Sequence, residues 1–138
     1  MRRYKMIDHT GDIAIEVYGR TLAELFRNAA FGYFDIITDT RKIKPKLEER
    51  ISLAAGDTEA LLVSWLSELL YLFDAKRVLF SEFTLKRVTE KSLEASIRGE
   101  AFDPKRHLIQ TEVKAVTYHG MKIEKKGAVY STVIVFDI

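Results

Sequence analysis

The sequence predicts an α+β protein in which two helices pack on one face of a largely antiparallel, mixed sheet. Three observations carry that expectation. Two segments, one starting at Leu22 and one after Gly56, repeat apolar residues at steps of three and four, the period of a helix with one buried face. Other segments alternate apolar and polar residues, as half-buried strands do. In the second half of the chain these segments follow one another through short turns. Such hairpins run neighbouring strands antiparallel.

The first strand expected is the alternation of Ile13, Ile15 and Val17 with Ala14, Glu16 and Tyr18. The first helix follows, with Leu22, Leu25, Phe26, Ala29, Ala30, Tyr33, Phe34 and Ile37 in one stripe. Thr21 and Glu24 are spaced as a capping box, each able to satisfy an amide at the helix start. Ile51 and Leu53 mark a short strand. The second helix takes Asp57 or Thr58 as its cap, carries Leu62, Trp65, Leu66, Leu69, Leu70 and Phe73, and ends near Lys76 and Arg77, whose charge suits a C-terminus. Phe83 to Val88 and Leu93 to Ile97 flank the turn Thr89-Glu90-Lys91-Ser92 as a hairpin. Glu112 to Tyr118 reads as a strand, His119-Gly120 as a turn. Met121 to Glu124 and Ala128 to Phe136, joined at Lys125-Lys126-Gly127, read as a closing hairpin. Pro45 and Pro104 sit in charged stretches that read as loops, and Asp35 and Asp39 read as surface charges.

At 138 residues the chain is expected to form a single domain over 1–138. It has no cysteine, which excludes disulfides, thiolate metal sites and cysteine nucleophiles. Any metal must then sit on oxygen or imidazole ligands, which favours hard or borderline cations. The net charge of +2, from 22 basic and 20 acidic residues, is too balanced to announce a nucleic-acid binder. No apolar run suggests a signal peptide or a membrane span, so the expected location is the cytoplasm.

Three clusters could carry chemistry. In Asp8-His9-Thr10-Gly11-Asp12, Gly11 can take a positive φ and aim two carboxylates and an imidazole at one point, a cation site. On spacing alone the preferred reading is a turn in which Asp8 or Asp12 caps backbone amides. In the strand from Glu112, alternation sets Glu112 and Lys114 on one face, either as a surface ion pair or as a lysine held for a phosphate. His119 reads as a surface histidine. The ending Val133-Ile134-Val135-Phe136-Asp137-Ile138 places Asp137 beside a terminal carboxylate, and a cation between them would relieve their repulsion. A frayed terminus is the alternative. The basic stretches at 41–46 and 104–107 read as solvated loops or as surfaces for RNA phosphates.

Asp-His-Thr-Gly-Asp-Ile at 8–13, Val-Tyr-Gly with the capped helix at 17–26, Lys-Ala-Val-Thr-Tyr-His-Gly at 114–120 and Phe-Asp-Ile at 136–138 together resemble the archease family across essentially the whole chain. One departure is Gly11, where many members carry alanine. The resemblance implies a small accessory protein, not an enzyme, that serves the GTP-dependent RNA ligase joining tRNA halves (the RtcB type). It would promote guanylation of the ligase's histidine and restore multiple turnover. RNA would be reached through the ligase, and no membrane is involved. It also implies a divalent metal ion (calcium, magnesium or manganese) on Asp12 and Asp137, with the terminal carboxylate of Ile138 as a further ligand. Lys114 falls at a position implicated in function. Asp8, His9 and His119 lie inside the motifs as supporting residues. Two other functions compete: an RNA-binding module using the basic loops, and a metal-dependent phosphohydrolase or nuclease built on Asp8, His9 and Asp12. A general chaperone is a third.

Overall fold

Leu22–Ile37 forms the first helix, α1, and its apolar stripe is buried along its length. The structure, a computed structural model, describes residues 2–7, 11–118 and 120–138. The Thr21 hydroxyl accepts the Glu24 amide at 3.0 Å, and the Glu24 carboxylate reaches back to the Arg20 amide at 3.1 Å. The capping box therefore closes one residue further out than the usual pattern. The second helix, α2, spans Thr58–Lys76. Asp57 is its cap, accepting the Ala60 amide at 2.7 Å, while the Thr58 hydroxyl donates instead to the Glu90 carbonyl. Arg77 closes α2 in the left-handed region at φ 53°, its amide shared by the Leu72 and Phe73 carbonyls. A non-glycine residue there carries a backbone cost; its guanidinium lies over the Phe73 ring at 4.8 Å.

Eight strands accompany the helices among the described residues: β1 Tyr4–Ile7, β2 Ile13–Gly19, β3 Leu47–Ala54, β4 Val78–Val88, β5 Ser92–Ala101, β6 Ala115–Thr117, β7 Glu124–Lys126 and β8 Val129–Asp137. The α+β class and the antiparallel pairing are as expected. The single mixed sheet is not: the strands divide into two sheets, and no parallel pair occurs among the described residues. One sheet runs β1-β2-β8-β6, with β7 also on β8; the other runs β3-β5-β4. Alternation says which side chains point inward but not which strands are neighbours, and the partition depends on the long-range pairing of β2 with β8.

The helix α1 serves both sheets at once. Tyr33 meets Phe136 of β8 at 5.8 Å between ring centroids, and Phe34 meets Phe80 and Phe83 of β4 at 6.0 and 5.8 Å. Trp65 ties α2 to α1 by donating to the Phe26 carbonyl at 2.9 Å. One continuous core results, with Ile15, Val17, Ile134 and Phe136 fully buried on the inner face of the first sheet. Gly19 ends β2 because the chain passes so close to α1 that an added Cβ would lie 2.3 Å from the Leu25 nitrogen.

Four local expectations change. Tyr4–Ile7 is a strand that the alternation did not reveal, because its burial is only partial. Its Tyr4 hydroxyl bonds the Asp35 carboxylate, so Asp35 is a half-buried partner and not a surface charge. Burial and that carboxylate push the Tyr4 hydroxyl above its ordinary range. The strand expected from Glu112 begins only at Ala115, and the closing turn falls at Gly127-Ala128, one step later than read. Gly127 takes the positive φ of 62° that the turn needs.

Candidate functional site

The ladder between β2 and β8 ends at the pair Ile13 and Phe136. The next residues outward are Asp12 and Asp137, so continuing the register sets these two residues opposite each other just beyond the ladder. Gly11 makes this possible: at φ 77° it bends the chain just before Asp12, the conformation foreseen for it. Within β8 the inward residues Ile134 and Phe136 are fully buried, while Val133 and Asp137 are exposed. Asp137 therefore stands on the open face. The Thr117 hydroxyl of β6 donates to its Oδ1 at 3.5 Å.

Lys114 joins this corner through its backbone. Its amide donates to the Asp137 carbonyl at 2.7 Å, one step beyond the Ala115 and Asp137 pair of β6 and β8. Its side chain is exposed and lines a groove of about 400 Å³ with Phe73, Asp74, Arg77, Glu112 and Val113. Glu112 and Lys114 are both exposed on either side of the buried Val113, but no ion pair joins them among the described residues. The reading of that couple as an ion pair is therefore corrected: the chain there is not yet a regular strand. Ile138 is exposed beyond the end of β8. Asp8, His9 and His119 lie outside the described residues.

The structure thus brings Asp12, Asp137 and Ile138 to one corner, with the Lys114 backbone beside them and its side chain in the groove formed with Phe73, Asp74 and Arg77. The donors gathered there are all oxygens, the set that suits a hard cation. Among the described residues no group of three histidine, aspartate or glutamate side chains converges. Side-chain carboxylates alone therefore leave coordination positions to other oxygens.

A second cluster went unread in the sequence. Glu100, only 4% exposed, sits on β5 beneath the two basic stretches. Its carboxylate accepts the Lys44 amide at 2.7 Å, the Arg106 guanidinium, and His107 Nε2 at 3.1 Å. Burial favours the neutral acid and pushes this carboxyl up, but these donors outweigh it and hold the carboxyl at about 2, against an ordinary 4.5. His107 Nδ1 accepts the Asp103 amide at 2.9 Å, so the ring carries its proton on Nε2. Nothing in the local sequence marks Glu100 as special, because its neighbours come from positions 44, 106 and 107.

The model of a family described as "Archease protein family (MTH1598/TM1083)" matches residues 4–138. The "Protein archease" of Sulfurisphaera tokodaii is 44% identical over 140 residues, covering 100% of both chains. That of Methanosarcina mazei is 40% identical over 141 residues, covering 99% of this chain and 97% of its own. Among solved structures, Methanobacterium thermoautotrophicum protein 1598 superposes with a TM-score of 0.82 at 29% identity, covering 100% of both chains. A Thermotoga maritima protein described as an archease and possible chaperone superposes with a TM-score of 0.66 at 28% identity, covering 100% of this chain and 98% of its own.

Proposed function

The chain belongs to the archease family, and from that premise we propose that it is the accessory activator of a GTP-dependent RNA ligase of the RtcB type. In this reading it performs no ligation itself. It promotes guanylation of the ligase's histidine and lets the ligase turn over repeatedly in tRNA splicing and RNA repair. The ligase is its direct partner in the cytoplasm, and tRNA or other RNA is reached through the ligase.

The observation that supports the reading is the β2–β8 register, in which Asp12 and Asp137 are the next residues beyond the paired Ile13 and Phe136. Asp12, Asp137 and the terminal carboxylate of Ile138 are the groups that would hold a divalent calcium, magnesium or manganese ion. When bound, such an ion supplies positive charge that offsets the charge on a transferring nucleotide. The chain's own residues contribute placement. The buried Ile134 and Phe136 fix β8 and with it Asp137. The Lys114 amide holds the Asp137 carbonyl, and the exposed Lys114 ammonium is the group that would meet a phosphate. The Gly11 bend delivers Asp12. Asp8, His9 and His119 keep the supporting role that their motifs imply.

The test is a ligation assay with limiting cognate ligase, GTP and Mn²⁺, run with the wild type and with Asp12→Ala and Asp137→Ala. The expected result is many products per ligase with the wild type and a return to single turnover with either variant, at unchanged circular dichroism. Full activation by both variants would overturn the metal reading. No activation by the wild type would overturn the ligase reading.

A further inference from the structure

Two basic stretches that lie sixty residues apart in sequence meet in space. The segment at 41–46 supplies Arg41, Lys42, Lys44 and Lys46; the turn after Asp103 supplies Lys105 and Arg106. They are pinned together by hydrogen bonds. His107 Nε2 lies 3.2 Å from the Lys42 carbonyl, Arg106 donates to the same carbonyl at 3.4 Å, and the Lys44 amide sits on Glu100 at 2.7 Å. Lys46 Nζ also lies 3.8 Å from the Glu100 carboxylate. Glu100 and His107 are buried beneath the junction, so what faces water is the set of cations.

The charge there is segregated. Six cations face four carboxylates, Asp35, Asp39, Glu100 and Asp103, a surplus of two that equals the net charge of the whole chain. Glu100, the central carboxylate, is turned inward. All six cations are exposed except the half-buried Arg106. Four of the six are lysines. Lysine is depleted at the cores of protein interfaces, which desolvate what they bury, but it is a standard contact for phosphates, which release counterions. Among the described residues, Leu108 is the one large apolar side chain strongly exposed beside the patch, at 76%, too little for the apolar centre of a protein interface.

We infer that this paired basic surface binds the phosphodiester backbone of nucleic acid. It reads no sequence: none of its six side chains is aromatic, so it offers no platform on which bases could stack. The staple of Glu100 and His107 makes the surface pre-formed, so binding does not have to order two loops. The inference stands independently of the cation corner and can fail without it.

The test uses fluorescence anisotropy with a labelled single-stranded RNA of about 20 nucleotides, single-stranded DNA of the same sequence, and polyglutamate as the acidic-protein probe. Titrations run from about 50 to about 200 mM salt, with the wild type, the triple variant Lys42→Glu/Lys44→Glu/Lys105→Glu, and Asp12→Asn. The three lysines are exposed and make no side-chain hydrogen bond or close ion pair among the described residues, and circular dichroism checks that the variant is folded. The wild type is expected to bind RNA and DNA within tenfold of each other, and polyglutamate far less. The triple variant should bind at least about tenfold more weakly, with a log–log salt slope shallower by about 2. Asp12→Asn should keep wild-type RNA affinity, which separates this surface from the ligase test. RNA affinity untouched by the triple variant, no binding at the lowest salt, discrimination between RNA and DNA beyond tenfold, or polyglutamate bound as tightly as RNA would each overturn the inference.

Discussion

Glu100 is a carboxylate removed almost wholly from water, and its neighbours decide how it responds to acid. Its folded-state value of about 2 lies below the ordinary 4.5. The charged form therefore stabilises the fold at every pH above 4.5, and the contribution fades as pH falls from there toward 2. Acid unfolding should accordingly show a limb in that window. Glu100→Gln should flatten the limb while lowering stability at neutral pH, as followed by thermal melts across pH. His107→Ala should cost about 1–3 kcal/mol, because it leaves the Asp103 amide without its partner and removes one of the two donors on Glu100 Oε2. Gly11 is the opposite kind of residue, with nothing within 4 Å of a Cβ placed on it but a φ of 77°. Gly11→Ala is expected to cost about 1–2 kcal/mol in a denaturant titration through backbone strain alone. The sequence revealed Gly11, because glycine between two aspartates announces a turn. It could not reveal Glu100, whose partners come from Lys44 far back in the chain and from a turn that must fold back over β5.

At the scale of elements, the helices were the most legible part, because caps and stripes are local. Asp57 illustrates the dependence: its carboxylate takes the Ala60 amide at the α2 start and lies 3.5 Å from the Tyr118 hydroxyl. Asp57→Ala should cost about 1 kcal/mol, read from the thermal midpoint. The strands were less legible. β1 and β6 are short, at 4 and 3 residues, and neither is long enough for alternation to stand out from its surroundings. β6 matters all the same, because it carries Thr117 and the approach of Lys114 to Asp137.

Taken whole, the molecule builds its candidate corner from strands near opposite ends of the chain. The sequence suggested that these would have to meet; only the β2–β8 register says that Asp12 falls beside Asp137 and not a residue or two away. The division into two sheets was illegible for the same reason, since pairing is decided by which strands can share α1. Phe136 couples the site to that core. It is fully buried, pairs with Ile13, and lies against Tyr33. Phe136→Ala should cost about 3–5 kcal/mol and should weaken ligase activation as well, measured by denaturant melts beside the ligation assay. The same ladder has a mechanical consequence. Because β2 and β8 are antiparallel and their Ile13 and Phe136 ends lie together, a pull applied between those two ends loads one pair of bonds at a time. The strands would unzip from the corner inward, while β3, β4 and β5 would feel little of the load. Under force, the corner that carries the two aspartates is the first part of the ladder to open.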